Sequence, residues 1–256
     1  MSVVNGEFVI LGLPENSPYC IHSADELVSY INEIGFLPLF GNEIPGLSVE
    51  ERTPAAWWFT DNDKLDPWKW REQIARSGEI AYGKFFEKKA GFISKKWFPF
   101  FANFRRDGYD FDALYEDEKA PYRNKVIMDL FETDDSELYS SEIKKAMKGS
   151  EEGKNPDQIL GMLQMQTYLC ICDFRCKRKK SGEEYGWSRT VYSKPEHLWG
   201  YEYVTSAYSE LPSESYRRII MHFKEQYPAA TAEQITKLIG DGKGFVISDT
   251  GSLKMR

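Results

Sequence analysis

Apolar positions recur along the chain with two different periods, and the change of period organises it. Helical spacing dominates the first 110 residues. Ser23, with Glu26 three positions on, forms a capping box ahead of Leu27, Ile31 and Ile34, and Gly35 ends the run, which predicts a short helix. Asp66-Pro67 sets an N-cap before a proline at the first helical position, so residues 68–76 read as a second helix closed by Gly78. Residues 80–90 read as a third with Gly91 behind it, and Ser94 as the cap of a fourth that carries Trp97, Phe98 and Phe101.

Residues 121–193 form the best organised stretch. Pro121 stands at a helix start, and Val126, Ile127, Leu130 and Phe131 share one face. Ser140 caps a second helix with Ile143, Ala146 and Met147 inside, and Asn155-Pro156 opens a third whose inner face is Ile159, Leu160 and Leu163. Gln158, Met162, Gln164 and Gln166 are then expected to face outward. After Leu169 the apolar period falls from 3.6 to 2.0: residues 168–175 and 185–192 read as strands joined by a turn at Lys179-Lys180-Ser181-Gly182. Three helices followed by a hairpin is the order of a winged helix, with Ile127, Leu130, Ile143, Leu163 and Trp187 in one core. Further on, Tyr216, Ile219, Ile220, Phe223 and Tyr227 make an apolar stripe, Thr231 and Gln234 a second capping box before Ile235, Leu238 and Ile239, and residues 244–248 a terminal strand. This pair fits either a second helix-turn-helix or a helical lid.

The pattern therefore predicts a mainly α fold with a small β component: an aromatic-rich N-terminal helical domain over 1–110, a winged helix-turn-helix domain over 120–200, and a C-terminal helix pair over 201–256.

Composition sharpens this picture. The 256 residues carry a net charge of −7, which argues against wholesale coating of nucleic acid but leaves room for a local basic face. Such faces exist. Residues 84–106 hold Lys84, Lys88, Lys89, Lys95, Lys96, Arg105 and Arg106 against Glu87 alone, residues 110–142 reverse the sign, and the Asp107-Gly108 turn marks the junction. In the hairpin, Arg175, Lys177, Arg178, Lys179 and Lys180 run from the base to a protruding tip, where cations suit phosphate neutralisation or simply keep a strand edge soluble. No apolar run approaches the ~18–20 residues of a membrane span and the first residues lack a secretory layout, so a cytoplasmic protein is expected.

Little in the sequence suggests other chemistry. Cys170, Cys172, Cys176 and His197 have the residue types of a zinc site but the spacing of a packed strand, so no metal is expected. Neither a nucleophile elbow nor a phosphate-cradling glycine loop is present, and no cofactor is expected. Asp61-Asn62-Asp63 suits a capped turn better than a calcium loop, and the tryptophans around Trp57, Trp58, Trp68 and Trp70 suit a core better than a base-stacking platform.

Tyr82-Gly83-Lys84-Phe85-Phe86, then Phe92-Ile93-Ser94-Lys95-Lys96-Trp97-Phe98-Pro99, then the winged helix, is an order that resembles the AlkZ/YcaQ-type tandem winged-helix DNA glycosylases, over most of the chain. The resemblance implies duplex DNA as partner. In that family a glutamine, an apolar residue and then aspartate or glutamine follow an N-terminal helix and a glycine. Here the slot after Ile34-Gly35 reads Pro38-Leu39-Phe40, which has nothing to position water or stabilise an oxocarbenium ion. Gln164-Met165-Gln166 fits the residue pattern further along, which makes Gln164 and Gln166 the catalytic candidates. The expected function is a DNA-binding winged-helix protein related to repair glycosylases without efficient base excision. The alternatives are a glycosylase acting on alkylated or crosslinked bases and a protein-interaction scaffold. The expected contact residues are Gln158, Gln164, Arg175, Lys177, Arg178, Lys179, Lys180, Lys88, Lys89, Lys95 and Lys96.

Overall fold

The computed structural model describes residues 2–4, 7–133, 136–148, 155–179, 181, 184–241, 245–247 and 253–255, with backbone alone at 2–4, 177, 178, 184, 187, 245–247 and 253–255. A small hairpin, β1 (Ser2–Val4) with β2 (Glu7–Val9), comes first. Helix α1 (Ala24–Ile34) starts where Ser23 Oγ accepts from Glu26 N–H at 3.2 Å, while the Glu26 carboxylate accepts from His22 N–H. It buries Leu27, Ile31 and Ile34 and stops at Gly35, whose φ of 90° and 2.7 Å clearance between a built Cβ and the Trp97 ring exclude any side chain. Strand β3 (Phe36–Pro38) follows at once. Helix α2 (Pro67–Ser77) begins as the sequence predicts: Asp66 accepts from Trp68 N–H at 2.8 Å, Pro67 stands at the first helical position, and Gly78 ends the helix in the left-handed region.

The third expected helix is not a helix. Residues 80–90 lie in a hairpin of β4 (Ile80–Phe86) and β5 (Lys89–Ser94). All of β4 except Lys84 is buried, so the strand lacks the one-sided alternation that would betray it. The turn hides as well: Glu87 and Lys88 take φ of 49° and 61°, the geometry of a two-residue hairpin turn normally signalled by Asn-Gly. Nor does Ser94 cap the next helix. A turn intervenes, and α3 (Phe98–Arg106) has Trp97 at its N-cap.

Helices α4 (Phe111–Glu116) and α5 (Tyr122–Met128) lead to β6 (Leu138–Tyr139), α6 (Ser140–Ala146), α7 (Pro156–Met165), β7 (Cys170–Arg178) and β8 (Glu184–Ser193). Then come α8 (Pro195–Trp199), α9 (Tyr201–Val204), α10 (Pro212–Gln226), α11 (Ala232–Ile239) and an antiparallel pair, β9 (Phe245–Ile247) with β10 (Leu253–Met255). The central sheet is antiparallel and six-stranded in the order β3-β5-β4-β7-β8-β6. Helices dominate, but strands from both sides of the charge reversal share this sheet, so the N-terminal region is helical only in part. Of the expected core residues, Ile127, Ile143 and Leu163 are fully buried and Leu130 is partly so, while the Trp187 side chain lies outside the described residues.

One hydrophobic cluster runs from Ile21 to Ile239. Phe36 is its hub, 5.2–5.8 Å between ring centroids from Phe86, Phe101 and Phe223, which ties β3, β4, α3 and α10 together. The capping box of α11 is reciprocal between Thr231 and Gln234. Among the described residues no helix is long and apolar enough to cross a membrane.

Candidate nucleic-acid interface

Strands β7 and β8 project beyond the sheet, and α2 lies against them. Between the two elements runs a cleft of about 1120 Å³, into which Lys69, Arg76, Arg175 and Arg189 bring four cations against the carboxylates of Asp63, Glu72 and Asp173, and Tyr139 and Tyr185 two aromatic rings. Arg175 and Arg189 face each other across the ladder, a like-charged pair that needs compensation. Carboxylates supply it. Arg175 Nε donates to Asp173 Oδ2 at 2.6 Å and its Nη2 pairs with Glu137, while Arg76 Nε donates to Asp173 Oδ1 at 2.8 Å and its Nη2 to Phe174 O at 3.0 Å. Burial pushes the Asp173 carboxyl up, but the hydrogen bonds from Arg175, the Phe174 N–H and Arg76 outweigh it and hold the group below its ordinary value. Arg189 lies over the Tyr139 ring, 4.3 Å from its centroid, and Tyr185 is 46% exposed.

Helix α2 stiffens this hairpin from beneath. Arg71 is sandwiched between Trp68 and Phe174, at 3.6 and 4.1 Å from the ring centroids, and burial lowers its pKa. Ser188 Oγ donates to Glu72 Oε1 at 2.9 Å, tying β8 to α2. None of Arg76, Tyr139, Asp173, Tyr185 or Arg189 was singled out by the sequence reading. Only the even spacing of Tyr185 and Arg189 on one strand was available to place those two on a common face.

The expected contact residues separate. Arg175 is at the hairpin base and Lys179 is exposed at its tip; Lys177 and Arg178 pair through their backbones with Tyr185 and Glu184, and their side chains, like Lys180 altogether, lie outside the described residues. Register places the lysines of the first half. Ile80 pairs with Ser94 and Tyr82 with Ile171, so Lys95 and Lys96, both exposed, sit at the end of the sheet toward which β7 runs. Lys88 and Lys89 lie at the opposite end, where Lys89 shares a pocket with Glu43, Glu50, Glu51 and Glu87. Among the described residues, Lys88 and Lys89 thus lie apart from Lys95, Lys96 and the hairpin cations.

Gln158 is exposed on α7, as expected, but Gln164 is not. Its side chain is wholly buried: Nε2 donates to Leu160 O at 2.9 Å and Oε1 accepts from Lys84 N–H at 3.0 Å. The physical reason is β4, invisible as a strand in the sequence, which covers this face of α7. Between Gly83 and Phe86 the β4–β5 register shifts, and Gln164 takes up the Lys84 N–H there. Gln166 ends α7 with its Oε1 buried and unpartnered.

Other candidates resolve into structure. The Cys170 and Cys172 thiols donate to Ser193 O and Val191 O, and burial pushes Cys172 up to about 12. Asn62 accepts from Lys64 N–H in a turn, and Trp57, Trp58 and Trp70 are buried. Pro38 and Leu39 are buried as well, and Phe40 packs on Trp58 and Trp68.

No curated protein and no solved structure matches this chain. The profile described as AlkZ related does, across residues 21–240. With the match spanning most of its length, the chain belongs to the AlkZ-related family.

Proposed function

We propose that this protein binds duplex DNA through a winged helix formed by α5, β6, α6, α7, β7 and β8, and that it lacks efficient base excision. Membership of a family related to DNA-repair glycosylases makes DNA the first partner to consider. The observation that carries the reading is the hairpin itself: cations at its tip in the sequence, and a cleft at its base where Lys69, Arg76, Arg175 and Arg189 stand beside an exposed Tyr185. Protruding cations neutralise phosphates, and aromatic faces contact sugars and bases. Helix, strand, helix, helix, hairpin, with β6 pairing against β8, is the winged-helix order.

Excision needs a base drawn out of the stack and a polar group beside the sugar. Pro38-Leu39-Phe40 offers no polar side chain and is packed into the core, and the Gln164 amide is bound on both sides by backbone. Losing one group aimed at the transition state typically costs about 10² to 10³ in rate.

The test is duplex binding by fluorescence anisotropy at several salt concentrations. Replacing Lys177, Lys179 and Lys180 together by alanine should weaken binding on all sequences and reduce the slope of log affinity against log salt by roughly 0.9 for each phosphate that is no longer neutralised. Unchanged affinity and slope would remove the hairpin from the interface and favour the scaffold reading.

A further inference from the structure

Among the described residues, one aromatic and one β-branched side chain sit on left-handed backbone: Phe59 at a φ of 60° and Thr167 at 66°. Both residue types pay a steric penalty there that glycine and asparagine avoid. For Thr167 the interior offsets the strain, because buried Arg106 donates to its carbonyl at 2.7 Å and to its Oγ1 at 3.3 Å. Phe59 is different, for it is 53% exposed. What fixes its backbone is the Asp66 carboxylate, which accepts from its N–H at 3.1 Å, a bond that glycine would make equally well. The turn therefore explains the conformation but not the phenyl ring. Strain kept at an exposed position is a mark of function.

The ring stands on other rings. Its centroid lies 5.2 Å from that of Trp68 and 5.9 Å from that of Trp58, both at a tilt, and Phe40 packs on the same two indoles. Trp58 is buried and Trp68 and Phe40 are partly so, which leaves Phe59 as the outermost ring of a packed cluster. Arg71, over the Trp68 ring, continues the contact to Phe174 of β7. The cleft beside the hairpin is close by: Asp63, four positions after Phe59, and Lys69, which follows Trp68, both line it. The charges of this loop are mixed, with Asp61, Asp63 and Lys64 all exposed. Two carboxylates repel phosphates, so the ring suits an uncharged flat face and not the sugar-phosphate backbone.

We propose that Phe59 is a stacking platform for an unpaired nucleobase of DNA held at the hairpin. The inference rests on the DNA-binding reading above and adds to it a preference for duplexes in which one base is free to leave the stack. Every base has a π face, so such a platform reads the unpaired state and not the sequence. A base that has no partner is also the cheapest to draw out. Stacking needs no polar group beside the sugar, so the platform works without excision.

The probe is a pair of labelled duplexes of one sequence, the first fully paired and the second with a single bulged adenine, titrated with the full chain and followed by anisotropy. Wild type is expected to bind the bulged duplex about 5- to 100-fold more tightly, the size of one base stacked on one aromatic ring. Phe59→Gly, which adopts the left-handed backbone without strain and keeps the N–H for Asp66, should bring the ratio of the two affinities to about one. Phe59→Tyr, which keeps the ring, should preserve the preference. Phe59→Asn also tolerates this φ and decides the matter if the glycine variant does not fold. Equal binding of both duplexes by wild type, a preference that survives removal of the ring, or one that is lost in Phe59→Tyr overturns this proposal and leaves the hairpin contact standing. Binding of neither duplex overturns both.

Discussion

Replacing Gln164 with leucine separates a structural amide from a DNA-reading one. Leucine keeps most of the volume, so the cavity cost is small and the loss is that of two hydrogen bonds. They are unequal. Leu160 O belongs to the helical ladder and keeps its intrahelical donor, whereas Lys84 N–H sits where the β4–β5 register shifts and has Gln164 Oε1, at 3.0 Å, as its acceptor. Leaving a part-buried backbone donor unsatisfied costs about 1–3 kcal/mol, which lowers the melting temperature of a chain of this size by about 2–4 °C per kcal/mol. Gln164→Glu adds a sign. A carboxylate in this buried site has its folded pKa raised, so the folded state binds more protons than the unfolded, and stability should fall as pH rises from about 4 toward 7. Urea titrations of wild type, Gln164→Leu and Gln164→Glu at pH 4.5 and 7 measure both effects. If Gln164→Leu is as stable as wild type while duplex sequence preference changes, Gln164 faces DNA and is not the amide that holds α7 to β4.

Converting Glu87-Lys88 to Asn-Gly places residues that favour positive φ at both turn positions and should stabilise the fold by about 1 kcal/mol in urea denaturation; a loss of stability would mean the turn side chains make interactions that matter more than backbone strain. The folded state holds the Asp173 carboxyl low, so the stability it contributes is complete above the unfolded value of about 3.9 and is lost as pH falls through the folded one. Asp173→Asn should therefore flatten the acid limb of a stability–pH profile. It should also tighten duplex binding with a steeper salt dependence, because Arg76 and Arg175 lose their shared counter-charge; weaker binding would show that Asp173 orients these arginines toward DNA. Incubation with duplexes carrying alkylated purines or a crosslink should yield at most a trace of abasic sites, and robust release abolished in Gln166→Ala would establish a glycosylase.

Local chemistry made some elements legible and concealed others. Ser23, Asp66, Asn155-Pro156 and Thr231 sit at real helix starts, and the shift to alternation after Leu169 marks β7 and β8, because caps and periods are set by residues a few positions apart. Strands β3, β4 and β5 were hidden for the opposite reason. Their burial comes from helices far along the chain, α7 and α10 among them, and their turn is held by tertiary structure against the preference of Glu87 and Lys88. The candidate interface divides in the same way. Cations of the hairpin are read directly, but the carboxylates that hold them and the α2 residues behind them come from segments up to about a hundred positions away, and Gln164 reads as outward-facing because its partner lies on a strand whose local pattern is helical.

The rims of the central sheet are its shortest strands, three residues in β3 and two in β6. At the β3 rim, Leu39 N–H points inward to Ala90 O, so the neighbouring Pro38 occupies the position whose N–H would face out, and proline has none to offer; its carbonyl is taken by Val49 N–H. A foreign strand arriving there finds almost no free template. Long open edges are what let partly unfolded chains recruit one another into fibrils or swapped assemblies, and the β3 rim of this sheet gives such growth little to pair with. Pro38 is thereby also a guard against self-association, so polar substitutions introduced there should be monitored for loss of solubility.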